Sequence, residues 1–153
     1  MKQIFRKAFE KFTHFVGKVN KKYYFEDYVR VYPEGVAFNH FGMRRKPRAA
    51  DRNNYLNHTK FYKFTAQFVD KRKVADIGCG SGYSSKILRD GGAVSYNGYD
   101  ISKPSIKFAR KVFGRYGNFD IAAITDLSIV PSHSYDVTIC SEVLEHIKEY
   151  NME

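Results

Sequence analysis

The chain has 153 residues, 43% of them hydrophobic, with two cysteines and a formal net charge of +10. That is one domain's worth of chain with too few cysteines for a disulfide framework. No apolar run approaches the roughly eighteen residues of a membrane span, and the basic start lacks the apolar core of a secretion signal, so a cytoplasmic location is expected.

The positive charge is uneven. Residues 1–73 hold 18 Lys and Arg against 6 Asp and Glu, whereas residues 74–153 hold 8 against 10, and 16 of the 25 aromatic residues lie in the first part. Within residues 2–19, Ile4, Phe5, Ala8, Phe9, Phe12, Phe15, Val16 and Val19 recur at three- and four-residue steps, with Lys2, Arg6, Lys7, Lys11 and Lys18 largely between them. This spacing predicts a basic amphipathic helix. Packing on its own domain or on a partner is the expected role, with peripheral contact to an anionic membrane as the alternative. Residues 21–56 carry the breakers Pro33, Gly35, Gly42 and Pro47 and an Arg44-Arg45-Lys46 cluster, and are expected to be irregular. A helix then fits Thr59 to Val69, with Phe61, Phe64, Thr65 and Phe68 on one side.

Residues 74–82 read Val-Ala-Asp-Ile-Gly-Cys-Gly-Ser-Gly. An apolar run of strand length that stops on Gly78, Gly80 and Gly82, before a helix-like stretch from Tyr83 to Asp90, predicts a strand, a tight turn and a helix start. Such a turn can adopt positive φ and bring a ligand against free backbone amides. The dinucleotide fingerprint G-x-G-x-x-G is not met, because its last place is Tyr83; a Walker phosphate loop is excluded by the missing Lys-Ser/Thr pair. Ser95 to Tyr99 predicts a second strand ending in Asp100, an acid placed to accept hydrogen bonds from both hydroxyls of a ribose. Ser102 with Pro104 predicts the cap of a helix running through Ile106, Phe108, Ala109 and Val112. Thr125 to Pro131 and then the strand Val137 to Cys140 follow. Cys79 in the glycine loop and Cys140 at the end of a strand expected to be buried suggest neither a disulfide nor a metal site.

The stretch Asp76-Ile77-Gly78-Cys79-Gly80-Ser81-Gly82 resembles the first motif of the class I S-adenosylmethionine-dependent methyltransferases, and Asp100 and the Thr125–Pro131 segment match its next two motifs in order. The resemblance covers roughly residues 55–150. It implies an α/β fold with a Rossmann-like parallel sheet, strand order 3-2-1-4, the later strands of the family missing, and an N-terminal helical extension. Residues 1–56 are then a basic aromatic extension and residues 57–153 the N-terminal, cofactor-binding part of a methyltransferase domain. It further implies S-adenosyl-L-methionine as cofactor, bound by Asp76, Gly78, Cys79, Gly80 and Gly82, with Asp100 on the ribose, Ile101 and Leu127 on the two adenine faces, and Asp126 at the adenine amine. Tyr55 and its Asn and His neighbours are candidates for a segment closing over the site. The family would continue beyond residue 153, so a truncated reading frame, or a partner that completes the sheet, is expected.

After the fourth strand, Glu142, Glu145 and His146 stand at i, i+3 and i+4, a spacing that suits a divalent cation with mixed ligands. The preferred reading assigns no metal, since the remaining ligands would have to come from elsewhere, and places Glu145 and His146 on the acceptor side. The function expected from the resemblance is methyl transfer to a small-molecule acceptor. An RNA acceptor held by Arg44, Arg45, Lys46 and Arg48 is the alternative, and a cofactor-binding fragment without activity is a third.

Overall fold

A computed structural model describes residues 31–33, 35–37 and 44–144. The amphipathic segment 2–19 and the acceptor-side candidates Glu145 and His146 lie outside the described residues. In chain order the elements are α1 (Ala49–Thr65) with a 3-10 turn (Ala66–Phe68), β1 (Lys73–Ile77), α2 (Ser84–Asp90), β2 (Ser95–Asp100), α3 (Lys103–Phe113), β3 (Asn118–Ile121) and β4 (Val137–Cys140). The four strands form one sheet in the order β3-β2-β1-β4. Every pairing is parallel, with Ile77 opposite both Tyr99 and Cys140 and Asp100 opposite Ile121. This is the α/β arrangement and strand order that the sequence predicts.

One face of the sheet carries most of the core. Val74, Cys79, Leu88, Tyr96, Ile106, Ala109, Phe113, Phe119 and Ile139 pack there with Tyr62 of α1. Leu88 and Ala109 are completely buried, which fixes α2 and α3 on the same side. The opposite face is thinner. Ala75, Ile77 and Tyr99 are covered there by Ala122, Ile124, Leu127, Val130 and Tyr135, all from the chain between β3 and β4.

α3 begins where expected. Ser102 is extended and its hydroxyl accepts from the Ser105 amide at 3.4 Å, with proline in the first helical turn. α1 begins earlier than expected, at Ala49, so residues 49–56 are helical and Tyr55 is a helix residue. The cause is local: Asp51 in the first turn accepts the Arg48 amide at 2.7 Å, and both its oxygens meet the Arg45 guanidinium at 2.7 Å. The Arg45 hydrogen bonds, with the Arg48 amide second, hold the Asp51 carboxyl down at about 2. An acid at this position also complements the helix dipole. Tyr62 is the buried residue of α1, while Phe61, Phe64 and Phe68 are exposed. Cys140 is likewise exposed rather than buried, and neither cysteine is in a disulfide.

Candidate cofactor-binding site

The glycine loop leaves β1 at its carboxyl end, and its three glycines do three different things. All have positive φ, +80° at Gly78, +54° at Gly80 and +78° at Gly82, the region that favours glycine. A Cβ on Gly82 would stand 2.6 Å from Phe119 and 2.7 Å from Ala109, so this glycine lets the start of α2 press against β3 and α3. A Cβ on Gly78 would stand 2.1 Å from Val143, because the chain leaving β4 crosses there. A Cβ on Gly80 would meet nothing within 4 Å. The loop is therefore packed at both ends and open in the middle.

Its amides are largely satisfied within the protein, which corrects the expectation of free N–H groups. Gly78 and Cys79 donate to the Tyr99 carbonyl at 2.7 and 3.0 Å, Gly82 donates to the Cys79 carbonyl at 3.0 Å, and Gly80 donates to Asp100 Oδ2 at 2.8 Å. The other oxygen of Asp100 accepts the Ser102 amide at 2.8 Å. Asp100 thus holds the loop and the α3 cap together from the end of β2. Its side chain is only half-buried.

Asp76, which the motif assigns to the cofactor, turns its side chain inward. It is completely buried, and its carboxylate faces the core, accepting hydrogen bonds from Ser84 Oγ (2.7 Å), Tyr96 Oη (2.8 Å) and Tyr62 Oη (3.2 Å). Burial pushes its carboxyl up to about 6 against the opposing pull of these three donors. The same burial, with the Asp76 charge second, pushes the Tyr62 and Tyr96 phenols well up. A side chain with no exposed surface makes no direct contact with a ligand in the crevice, so Asp76 positions the loop. The Cys79 thiol also turns inward, against Gly98, leaving only its backbone for a ligand.

The remaining candidates line the carboxyl ends of β2 and β3. Ile101 is 57% exposed, an apolar side chain standing free beside Asp100. The chain after β3 is tied back to the same place, Ala122 donating to the Asp100 carbonyl at 3.2 Å. Asp126 is exposed and its Oδ1 accepts the Ser128 amide at 3.1 Å; the Ser128 hydroxyl, with that amide second, lowers its carboxyl. Leu127 packs on the thinner face of the sheet. Glu142, at the other side of the loop, is exposed with φ +56°. Among the described residues no group of three His, Cys, Asp or Glu side chains is placed to hold a metal ion, and no helix is long and apolar enough to cross a membrane.

Sequence reasoning did not single out Ser81, Tyr62, Ser84 or Tyr96. Ser81 is fully buried and its hydroxyl donates to the Val31 carbonyl at 2.7 Å, while the Tyr32 ring meets Phe108 edge-on at 5.1 Å. Residues 31 and 32 therefore lie against the glycine loop and α3. The only signal for these residues was the run of small hydroxyl side chains at Ser81, Ser84 and Ser85.

Comparison with known proteins agrees with this geometry. The family model described as a methyltransferase domain matches residues 75–152, half of the chain. A ubiquinone biosynthesis O-methyltransferase of Idiomarina loihiensis is 36% identical over 81 residues, covering 51% of this chain and 33% of that protein. Its counterpart in Bordetella parapertussis is 31% identical over 88 residues, covering 56% and 36%. The chain thus spans about a third of the length of these relatives. Among solved structures, the magnesium protoporphyrin IX methyltransferase of Synechocystis with bound SAH has the same fold, with a TM-score of 0.55 at 23% identity over 67% of this chain and 50% of that one. By its motifs, its strand order and the family match, this chain belongs to the class I S-adenosylmethionine-dependent methyltransferases.

Proposed function

We propose that the crevice at the carboxyl ends of β1, β2 and β3 binds S-adenosyl-L-methionine, and that the chain is the cofactor-binding part of an enzyme that methylates a hydroxyl group of a small molecule. The observation that carries this reading is the open space over Gly80 beside the half-buried carboxylate of Asp100. Space at Gly80 lets a ligand approach the loop backbone beside that carboxylate. Asp100, a carboxylate at the end of β2 beside the loop, accepts from the ribose hydroxyls. Ile101 and Leu127 cover the adenine ring, and Asp126, an acceptor only, receives its amine. Gly78, Gly80 and Gly82 and the backbone of Cys79 shape the floor, and Asp76 keeps that floor in place from below.

The bound sulfonium supplies an activated methyl group. The protein's task is then to hold the acceptor oxygen in line with it, at about 3–3.5 Å, and to exclude water. Glu145 and His146, which follow the Val143 crossing in sequence, are our acceptor-side candidates, with His146 taking the acceptor's proton. The names of the relatives support a small-molecule hydroxyl acceptor. An RNA acceptor has less support, because Arg45, in the middle of the basic strip, is held by both oxygens of Asp51.

Calorimetric titration with S-adenosylhomocysteine tests the cofactor site. The parent chain is expected to bind, and Asp100→Asn to bind at least about tenfold more weakly, since a carboxylate acceptor of charge-assisted bonds is replaced by a neutral amide. Equal affinity in the two proteins would remove Asp100 from the site.

A further inference from the structure

α1 and the 3-10 turn after it direct Tyr55, Tyr62 and Ala66 toward the core, and among the described residues nothing covers the far side. Leu56, Phe61, Phe64 and Phe68 stand on that outer side, 40%, 41%, 58% and 55% exposed. The rings of Phe64 and Phe68 meet edge-on with centroids 5.3 Å apart, and Phe61, whose ring meets that of Tyr62, is exposed one turn earlier. Single exposed apolar side chains are ordinary, whereas the paired Phe64 and Phe68, with Leu56 and Phe61 on the same side, form a surface that something covers. Lys60, Lys63 and Lys71 are exposed around it, and no carboxylate among the described residues pairs with them. Asp70, the acid nearest in sequence, sits against Gly92 instead.

We propose that this face of α1 is a docking surface for an anionic lipid bilayer, with the phenyls entering the acyl boundary and the lysines meeting phosphate headgroups. Three features select that occupant. The exposed phenyls lie along α1 and the turn after it, the form of interfacial helices, and among the described residues offer no groove in which a nucleic-acid strand could track or stack its bases. Lys60, Lys63 and Lys71 outnumber Asp70 around them, so a second copy docking face to face would bring like charges together. The chain's own residues 1–19 are basic as well, with Lys2, Arg6, Lys7, Lys11 and Lys18 against Glu10 alone, and would be repelled in the same way. An anionic lipid surface complements both segments. The inference does not rest on the cofactor reading, and its test requires no cofactor.

The test is co-sedimentation of the full chain with vesicles of equimolar phosphatidylcholine and phosphatidylglycerol. The parent is expected to sediment with them and to stay in solution with phosphatidylcholine alone. Phe64→Gln/Phe68→Gln is expected to weaken partitioning at least about tenfold, and neutralising Lys60, Lys63 and Lys71 to weaken it about fivefold per lysine. Because all of these side chains are exposed, thermal unfolding of the variants should match the parent, which separates lost docking from lost folding. Three results would overturn the proposal: partitioning unchanged in the phenylalanine variant, loss of RNA binding in that variant with vesicle binding intact, or a vesicle-free dimer that the variant dissolves while vesicle binding persists.

Discussion

Asp76 carries a carboxylate into the centre of the protein, and its pH behaviour follows from what surrounds it. Three hydroxyl donors do not fully replace water, so the folded carboxyl lies at about 6 against an ordinary 3.8. The folded state therefore binds this proton more tightly than the unfolded chain does. Its contribution to stability is greatest below pH ~4 and is lost as pH rises through ~6, a change on the order of 3 kcal/mol by linkage. Asp51 acts in the opposite sense and lower on the scale: held at about 2, it contributes fully above pH ~4 and loses that contribution as pH falls toward ~2. Urea unfolding midpoints of the parent and Asp76→Asn across this range should converge or diverge chiefly between pH ~4 and ~6. A difference independent of pH would mean that the hydroxyl cage stabilises the anion completely. The glycines give a second residue-scale prediction, because their surroundings differ so sharply. Gly82→Ala places a methyl against Phe119 and Ala109 at a positive φ, and should cost about 3 kcal/mol in thermal or urea unfolding. Gly80→Ala meets no protein atom, and should cost only about 1 kcal/mol while abolishing most S-adenosylhomocysteine binding. If Gly80→Ala bound normally, the open space above it would not be the nucleoside site.

At the scale of elements, α1 is coupled to the glycine loop through Tyr62, whose hydroxyl reaches Asp76 and whose ring meets Tyr83 at 5.8 Å. Tyr62→Phe keeps the ring and removes one donor from the cage. It should destabilise by about 1–2 kcal/mol and raise the pH at which Asp76 takes up its proton, readable as an upward shift of the titration window relative to the parent. An unshifted window would show that Ser84 and Tyr96 alone set the charge of Asp76. β1, β2, β4 and α3 were legible in the sequence because each carries a local signature: short apolar runs ending in Gly78, Asp100 or Cys140, and a Ser102 cap followed by proline. The start of α1 was misread for a physical reason. Its N-terminus is organised by Asp51, which binds backward to Arg45 and the Arg48 amide, with no Ser, Thr, Asn or Asp at the cap. Its phenylalanines share one side as read, and that side is the outward one, so residue type alone did not tell which side of α1 meets the core. The site shows the same division. Backbone conformation at Gly78, Gly80 and Gly82 is written in residue type, whereas the inward turn of the Asp76 and Cys79 side chains depends on Tyr62, Tyr96 and Gly98, which meet them only after folding.

The whole molecule is asymmetric in two ways, and both bear on where it can move. Among the described residues the helices and the larger core lie on one face of the sheet, and the open space over Gly80 lies at its carboxyl edge. β1 and β2 are flanked by strands on both sides, whereas β3 pairs only with β2 and β4, among the described residues, only with β1. Strands paired on both sides open only with larger parts of the sheet, so their amides should exchange slowest. Hydrogen exchange followed by mass spectrometry should therefore rank β1 and β2 above β3 and β4. Adding S-adenosylhomocysteine should then slow exchange at Gly78 to Gly82, at Asp100 to Ser102 and across residues 122–127, because a ligand bridging these segments must be released before they open. The outward side of α1 should be unaffected, since it lies on the far side of its helix from the core and binds a different kind of partner. A uniform slowing over the entire chain would instead mean that the crevice and α1 unfold as one unit, and that the lipid face and the nucleoside site are energetically linked.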